Sequence, residues 1–477
     1  MINQKEKMDT ICAIATPAGG ALGIIRVSGP EAITAADRIF RPRVGAPLSQ
    51  RAASSLTFGN VVAPQTDEAI DEVLVSLFRA PHSYTGEDSV EFSCHGSYYI
   101  LNKVVELLLA QGCRMARPGE YTERAFLNGK MDLSQAEAVA DLIASTTEAN
   151  HRMAMQQMRG GFSKELRTLR DQLLHITSLL ELELDFSDHE ELEFASRPEL
   201  LALAERIRNH ISTLCQSFRL GNALKRGVPV ALVGETNAGK STLLNALVGE
   251  ERALVSNVHG TTRDTIEEIV NVGGTLVRFI DTAGIRETSD TVERMGIERT
   301  FDKMAEADIV LWLIDLTAYQ AQYDELAEKI GVQVQGKHLV VLLNKTDLVS
   351  ESTINEAKQY ISGQLNNAVP TPMLLTLSAQ SGSGLDQLKQ LLAASLSTLQ
   401  AENNSTGTIV SNLRHYEALS AALAATDRVI EGLHQGLSGD FVSQDLRECI
   451  YHLSDIVGEV TTDQVLGNIF KHFCVGK

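Results

Sequence analysis

Residues 228–241 read Val-Pro-Val-Ala-Leu-Val-Gly-Glu-Thr-Asn-Ala-Gly-Lys-Ser, an apolar run followed by two glycines with four residues between them and the pair Lys-Ser. The apolar run predicts a buried strand, and Ser241–Val248 predicts a helix. A glycine-rich turn between them directs backbone N–H groups into a concavity that can hold phosphate. Lys240 would reach the β- and γ-phosphates, and the Ser241 hydroxyl would ligate Mg²⁺. A non-functional turn is the alternative, but the flanking strand and helix favour a nucleotide site.

Composition restricts the class of protein. The chain has 477 residues, 44% of them apolar, which is enough for about three domains with ordinary cores. No apolar run is long enough for a membrane span, and no secretion signal is recognisable at the N-terminus. The six cysteines show no CxxC spacing, which argues against zinc and disulfides and predicts a cytoplasmic protein. A net charge of −19 makes broad, unaided nucleic-acid binding unfavourable.

The pattern changes along the chain and predicts a multidomain α/β protein. Residues 1–130 predict an α+β domain, with strands at 10–15, 21–27, 73–78 and 89–93 and a helix at 99–110. Residues 131–226 predict the first part of a helical domain, and 397–477 its second part. Residues 227–396 predict an inserted P-loop domain with a mainly parallel sheet. Its candidate strands are 228–233, 266–272, 276–281, 309–315, 338–343 and 373–377.

Apolar residues at helical spacing support the two helical parts. We predict that these stripes pack together, with the nucleotide domain inserted between the two parts. The stripes are Leu133, Ala136, Ala140 and Ile143; Leu166, Leu169, Leu173, Ile176 and Leu180; Tyr416, Leu419, Leu423 and Ile430; and Leu446, Ile450, Leu453 and Val457.

Four further motifs follow the P-loop in the order expected for a GTPase. Residues 260–265 could complete the Mg²⁺ shell through Thr262, and 281–284 end a strand near the γ-phosphate. The Asp347 carboxylate could accept hydrogen bonds from N1–H and N2–H of guanine, a pair of donors that adenine lacks. Residues 378–380 would lie behind the base. The predicted GTP contacts are Asn237, Ala238, Gly239, Lys240, Ser241, Thr242, Ser256, Asn257, Val258, His259, Gly260, Thr261, Thr262, Asp281, Thr282, Ala283, Gly284, Asn344, Lys345, Asp347, Ser378, Ala379 and Gln380.

One position departs from Ras-like GTPases. Ile285 stands where those proteins carry the glutamine that orients the attacking water. Another polar group must therefore position the water. Asn237 could help to hold a monovalent cation near the phosphates, and Glu293 could orient the water. From spacing alone, a solvated helix charge is the better interpretation of Glu293.

With these motifs assembled, the chain resembles the MnmE (TrmE) family of tRNA-modifying GTPases over essentially its whole length. The most specific match is the final Cys474-Val475-Gly476-Lys477, similar to the family's terminal Cys-x-Gly-Lys. Residues 23–26, Gly-Ile-Ile-Arg, and 124–130, Arg-Ala-Phe-Leu-Asn-Gly-Lys, also match. Gln380 is a departure, since many GTPases carry lysine there.

The resemblance implies a folate-binding, dimerising N-terminal domain, a discontinuous helical domain and a GTPase domain whose hydrolysis is activated by K⁺. It implies modification at C5 of the wobble uridine of certain tRNAs to a carboxymethylaminomethyl-type group. The one-carbon unit would come from 5-formyl- or methylene-tetrahydrofolate. An FAD-dependent partner would form a heterotetramer with the homodimer and supply most of the tRNA contacts.

The resemblance also assigns roles to individual residues. It makes Glu293 catalytic beside Lys240, and it gives Cys474 a functional role whose chemistry the sequence does not reveal. Folate contacts fall on Arg26, Glu91, Lys130 and Lys477; K⁺ ligands on Asn237, Ser256, Val258 and Thr261; and Mg²⁺ ligands on Ser241 and Thr262.

Two other classes of function fit the sequence less well. A GTP-dependent switch in ribosome assembly would take no part in covalent modification. Such switches usually carry a basic RNA-binding module, and the sequence has no such segment. A folate enzyme with a vestigial GTPase domain conflicts with the intact nucleotide motifs.

Overall fold

The structure is a computed structural model that describes residues 9–185, 197–235, 237–249, 268–280, 304–334, 337–365, 373–402, 408–460, 462–471, 473 and 475–476. The chain divides into two compact units. The first comprises residues 1–143, 155–194 and 443–477, and the second comprises residues 144–154 and 195–442. Both units hold a sheet together with helices, which confirms the predicted multidomain α/β class. The predicted domain boundaries stay predictions.

The strands are β1 (Ile11–Ile14), β2 (Leu22–Ser28), β3 (Phe40–Pro42), β4 (Ser55–Val62), β5 (Ala69–Phe78), β6 (Ser89–His95), β7 (Arg114–Met115), β8 (Val228–Val233), β9 (Glu268–Val272), β10 (Thr275–Ile280), β11 (Ile309–Asp315), β12 (His338–Asn344) and β13 (Met373–Thr376). The helices are α1 (Ala32–Ile39), α2 (Tyr98–Ala110), α3 (Glu120–Leu127), α4 (Leu133–Ala144), α5 (Glu148–Met158), α6 (Gly161–Asp185), α7 (Arg197–Arg226), α8 (Lys240–Gly249), α9 (Tyr319–Gln333), α10 (Glu351–Leu365), α11 (Leu385–Glu402), α12 (Leu413–Gln435), α13 (Gly439–Val457) and α14 (Asp463–Phe470).

The first unit contains a seven-stranded sheet in the order β3-β4-β5-β6-β2-β1-β7. Its strand pairs are antiparallel except β1–β7. An antiparallel sheet can bury one face and expose the other, which produces alternating burial along a strand. Helices α1 and α2 contribute to the core on the buried face. The sequence pattern did not predict β3, β4, β7 or α1.

A network of charged side chains fixes α3 beside β1. The buried Arg124 guanidinium donates to Asp9 at 2.6 Å and to Glu120 at 3.1 Å, and it also contacts Glu87 at 3.2 Å. Arg114 donates to Asp9 and Glu120 as well. Burial acts to raise the pKa of Glu120, but hydrogen bonds, chiefly from Arg114, outweigh it and lower that pKa. Removing one partner from a buried network of this kind costs about 3–5 kcal/mol.

The second unit contains the sheet β13-β12-β11-β8-β10-β9, and β9–β10 is its antiparallel pair. Because β8 and β11 are buried along their whole length, the sheet is covered on both faces. One core contains side chains from α7, α8 and α11, and the other contains side chains from α9 and α10. This arrangement confirms the mainly parallel sheet that the sequence predicted.

Helix α7 links directly to this sheet. It ends at Arg226, and β8 begins two residues later, after Gly227. Its last turns contribute Leu220 and Leu224 to the core that also contains residues of β8 and β10. A methyl group on Gly221 would lie 2.0 Å from the Val410 carbonyl oxygen, so glycine permits this close packing. The helix is therefore anchored in the same core as the strand that leads into the P-loop.

The predicted helical stripes are partly correct. All five residues of the 166–180 stripe are buried in α6. On α4, Ile143 is exposed. On α12, Leu419 is buried, but Tyr416, Leu423 and Ile430 are only partly so, and the buried face runs through Ala418, Ala422, Ala425 and Val429. A stripe defined by large apolar residues omits alanine. On this helix, however, small alanines form the close contact with α7. Among the described residues, no helix is both long and apolar enough to cross a bilayer.

Candidate functional site

The P-loop lies at the carboxyl end of β8, as predicted. Its backbone requires its glycines: a Cβ on Gly234 would lie 2.4 Å from the Leu313 carbonyl oxygen. A Cβ on Gly239 would lie 2.3 Å from Nδ2 of Asn344. Asn237 adopts a left-handed backbone with φ of 68°, which asparagine tolerates better than most residues. The loop therefore has a conformation that few other sequences could adopt.

Lys240 folds back over the loop. Its ammonium group donates to the carbonyl oxygens of Gly234 at 2.5 Å and Glu235 at 2.8 Å. Burial lowers the pKa of Lys240, and the negative charge of Glu235 partly offsets that effect. Ser241 is half-buried at the start of α8, and Thr242 beside it is exposed. The ammonium group and the hydroxyl thus lie at the helix N-terminus, where phosphate binding is favoured.

Asn344 connects the P-loop to the predicted base-recognition loops. Its side chain is only 2% exposed. Nδ2 donates to the Ala238 carbonyl oxygen at 2.8 Å, and Oδ1 accepts from the Ala379 N–H at 3.0 Å. One amide group therefore holds the P-loop and the loop after β13 at a fixed separation.

The residues predicted to contact the base lie in the loops after β12 and β13. Lys345 has a left-handed backbone, and its ammonium group donates to Asp315 at 2.6 Å. Asp347 is exposed, so its carboxylate is accessible to a ligand. In the loop after β13, the Ser378 hydroxyl accepts from the Ser381 N–H at 3.2 Å. Gln380 is exposed. The structure thus brings together Asn237–Thr242, Asn344–Asp347 and Ser378–Gln380 at the carboxyl edge of one sheet.

Sequence reasoning missed several side chains that support this site, among them Asp315 and Glu235. Asp315 ends β11 at the same edge, and its backbone N–H donates to Oε1 of Gln322 at 2.8 Å. Burial acts to raise the pKa of Asp315, but hydrogen bonds from Lys345 and Thr317 outweigh it and lower that pKa. Burial and a hydrogen bond with Glu325 raise the pKa of Glu235 in the P-loop. An acidic residue ending a parallel strand was the available signal for Asp315.

The other predicted nucleotide and catalytic residues lie outside the described residues. They are Ser256, Asn257, Val258, His259, Gly260, Thr261, Thr262, Asp281, Thr282, Ala283, Gly284 and Glu293, together with Ile285 and the terminal Cys474 and Lys477.

The first unit contains the predicted Arg26 site. Arg26 and Glu91 are paired across β2 and β6, and the guanidinium Nε lies 2.7 Å from the Glu91 carboxylate. The guanidinium carbon also lies 5.5 Å from the ring centres of Tyr84 and Tyr121. Burial raises the pKa of Tyr84, although a hydrogen bond with Thr122 and the charge of Arg26 oppose the rise. Sequence reasoning missed both tyrosines, because neither spacing nor motif connects them to Arg26.

The end of the chain reaches this site. Arg26 Nη1 donates to the Gly476 carbonyl oxygen at 3.3 Å. A Cβ on Gly476 would lie 2.7 Å from the Ile14 carbonyl oxygen. Lys130 donates to the Pro81 carbonyl oxygen at 3.0 Å, in the segment that also carries Tyr84. Residues from three distant parts of the sequence therefore surround one cation.

Known protein families and individual relatives match this chain over nearly its whole length. Residues 10–130 match the family profile described as "GTP-binding protein TrmE N-terminus", and residues 133–474 match "MnmE helical domain". Three similar relatives are each named tRNA modification GTPase MnmE. The Bacteroides fragilis (strain YCH46) and Bacteroides thetaiotaomicron proteins are each 58% identical, covering 98% of this chain and 99% of their own length. The Flavobacterium johnsoniae protein is 48% identical and covers 100% of both chains.

The bridging role of Asn344 leads to a prediction for the alanine variant. Asn344→Ala should weaken the binding of GTP and GDP alike by roughly tenfold or more, because it leaves two buried backbone groups without partners. Calorimetric titration of the full chain measures both affinities. Asn271→Ala is the matched control, since that side chain accepts from the Gly274 N–H in the β9–β10 turn. Equal affinities for the two variants would contradict the bridging role.

Proposed function

Because the chain belongs to the MnmE family of tRNA modification GTPases, we propose that it hydrolyses GTP to drive modification at C5 of the tRNA wobble uridine. The observation that carries the proposal is the Asn344 bridge between the P-loop and the loop after β13. It fixes the distance between the positions for a triphosphate and for a base. A nucleotide is the ligand that needs both positions at once.

The chain's own residues would divide the work of binding. P-loop N–H groups and Lys240 would hold the β- and γ-phosphates, and Asp347 would select guanine. The hydroxyls of Ser241 and Thr262 suit Mg²⁺, which prefers oxygen ligands and neutralises phosphate charge when it is bound. Glu293 would orient the attacking water, and residues 281–284 would contact the γ-phosphate. The role of Glu293 rests on the resemblance, and that of residues 281–284 on their motif.

Hydrolysis also needs positive charge to stabilise the transition state, and the sequence identifies no arginine finger to supply it. Asn237 is exposed on the rim of the P-loop, and its side-chain oxygen suits a monovalent cation. Ser256, Val258 and Thr261 would complete the ligand set in the family arrangement. Held there, K⁺ would supply positive charge beside the β–γ bridge. Two GTPase domains pairing across a dimer would close the 256–261 segment over the nucleotide.

This proposal predicts that hydrolysis is fast in K⁺ and slow in Na⁺. Asn237→Ala should abolish the K⁺ stimulation and leave GTP affinity largely unchanged, because the amide would contact the cation rather than the phosphates. Phosphate release in matched K⁺ and Na⁺ buffers measures the first effect, and calorimetry the second. Glu293→Ala should lower the rate while K⁺-dependent pairing persists. Equal wild-type rates in the two salts would refute the cation site.

We also propose that the Arg26 site binds a reduced folate. A cation between two aromatic rings and beside a carboxylate provides stacking, an acceptor for ring N–H groups and a charge for a ligand carboxylate. Arg26, Glu91, Lys130 and Lys477 are the proposed contacts. The bound folate would supply the one-carbon unit. The Arg26–Gly476 hydrogen bond brings the residue two positions after Cys474 to the same site.

Titration with 5-formyl-tetrahydrofolate tests this site. Arg26→Ala should weaken binding at least tenfold, because it removes a charged hydrogen-bond donor worth about 1.5–3 kcal/mol. Arg41→Ala is the control, since Arg41 lies on β3 and its side chain is half exposed. The proposal fails if wild-type protein releases no heat, or if the two variants bind equally well.

The homodimer has support in the exposed face of the first unit's sheet. Phe58 and Leu74 are paired across β4 and β5, and each is 41% exposed; Leu56, two residues before Phe58, is 62% exposed. Adjacent apolar side chains on a sheet face favour burial against another surface. We propose that a second copy of the chain covers this face. The FAD-dependent partner would join the dimer and supply most of the tRNA contacts.

Phe58→Glu should therefore shift the full chain from dimer to monomer, because the charge could not be buried at the interface. Sedimentation velocity at several concentrations measures the change. Val332→Glu provides a control, since Val332 is exposed on α9 in the second unit. A dimer that survives Phe58→Glu at all concentrations would exclude this face.

A further inference from the structure

Asp71, near the start of β5, and His95, at the end of β6, form a pair, and the strand register places His95 on the sheet face that carries Arg26. The Asp71 side chain is 6% exposed, whereas that of His95 is 69% exposed. One carboxylate oxygen of Asp71 accepts from the backbone N–H of His95 at 2.9 Å, and the other lies 2.7 Å from its ring Nδ1. One oxygen of this buried carboxylate thus holds the backbone of His95, and the other orients its exposed imidazole.

This arrangement determines which ring nitrogen carries the proton. A carboxylate only accepts hydrogen bonds, so Nδ1 of His95 must donate. In the neutral ring, Nε2 then presents its lone pair to solvent. Within the described ranges, no residue donates to Nε2, and no cluster of three His, Cys, Asp or Glu side chains is arranged to hold a metal. Nε2 is therefore a pre-oriented hydrogen-bond acceptor.

Exposed aromatic rings lie next to it in the chain. Tyr98 and Tyr99 begin α2, and each is 69% exposed. Leu22, the strand partner of His95, is 68% exposed. Backbone hydrogen bonds join Gly96 to Gly19 and Ala21, which fixes the chain between His95 and the two tyrosines. We refer to Leu22, His95, Tyr98 and Tyr99 as this patch. Exposed tyrosine rings are platforms on which unpaired bases stack.

The register of the sheet connects this patch to the folate site. Leu22 pairs with His95, and Arg26 pairs with Glu91. The two pairs are four positions apart along each strand, so they lie on one face about 13 Å apart. A ligand at the patch would share the exposed face with a ligand at Arg26.

We propose that His95, Tyr98 and Tyr99 bind an unstacked uracil base of RNA, with Nε2 of His95 accepting the base N3–H. This inference rests on the proposed function, which makes a uridine the target. Uracil offers a ring N–H donor at N3, whereas cytosine offers an acceptor there. An oriented acceptor therefore distinguishes the two pyrimidines, and the tyrosine rings add base stacking that depends little on sequence.

Asp71→Asn provides the sharpest test, because it should reverse the base preference. The backbone N–H of His95 could still donate to the side-chain oxygen at position 71. The amide NH₂ would then face Nδ1 and donate to it, which places the ring proton on Nε2. Nε2 would become a donor, and a donor matches N3 of cytosine. A purely structural role for Asp71 predicts no such reversal.

Fluorescence anisotropy can measure this with two labelled RNA hairpins that differ only in one unpaired loop base, uridine or cytidine. The full-length protein is titrated at low salt and mildly alkaline pH, where an ordinary histidine side chain is neutral. Wild type should bind the uridine hairpin roughly fivefold or more tightly than the cytidine hairpin, since one oriented base contact contributes about 1 kcal/mol or more. Asp71→Asn should prefer the cytidine hairpin. No wild-type preference, or the same preference in both proteins, would overturn the proposal.

Substitutions at exposed residues test the same site if Asp71→Asn folds poorly. His95→Gln should bind both hairpins equally, because a glutamine amide can donate or accept. Tyr98→Ala with Tyr99→Ala should weaken both hairpins about fivefold or more, whereas the corresponding phenylalanine changes should not. Discrimination that survives His95→Gln would overturn the site.

K⁺-stimulated GTP hydrolysis of the same samples separates the two proposals. If hydrolysis persists while base discrimination is absent, only the uracil site is wrong. If wild-type hydrolysis is itself absent, the proposed function fails.

Discussion

The buried amide of Asn344 is the interaction on which the nucleotide site depends. Strands β8, β12 and β13 end at one edge of a sheet, but parallel strands alone leave their loops free to vary. The amide bonds to the P-loop at Ala238 and to the last loop at Ala379. Gly239 has no side chain, and this lets the amide approach the P-loop. The Asp315–Lys345 ion pair then fixes the intervening loop from a fourth strand end.

The Arg26 site of the first unit likewise depends on one side chain that contacts several segments, but this side chain is a cation. There a cation on a sheet face gathers Glu91, two tyrosine rings and the backbone of Gly476. The sheet is mainly antiparallel, and its exposed face carries the proposed dimer surface and His95 as well. We infer that the exposed face of this sheet serves several binding functions, because the opposite face is buried in the core.

The sequence predicted the P-loop and its sheet well because long apolar runs and a specific motif mark them. It singled out Arg26 and Glu91 as folate contacts only through the resemblance, and that role stays a prediction. It could not predict that Tyr84 and Tyr121 flank Arg26, since ring contacts between distant segments have no periodic signal. Nor did it find Asp315, whose role depends on Lys345 across the sheet edge. The stripe on α12 was misplaced because alanines form its close contact. Residues 250–267 and 281–303, with Thr262 and Glu293, lie outside the described residues.

The account's central claim is that GTP hydrolysis by this chain is required for wobble-uridine modification. Mass spectrometry of tRNA nucleosides from cells lacking the chain tests it most directly. The account predicts that C5-modified wobble uridine is lost, that the wild-type chain restores it, and that Lys240→Ala at the same protein level does not. Unchanged modification in cells lacking the chain would contradict the account, as would full restoration by Lys240→Ala.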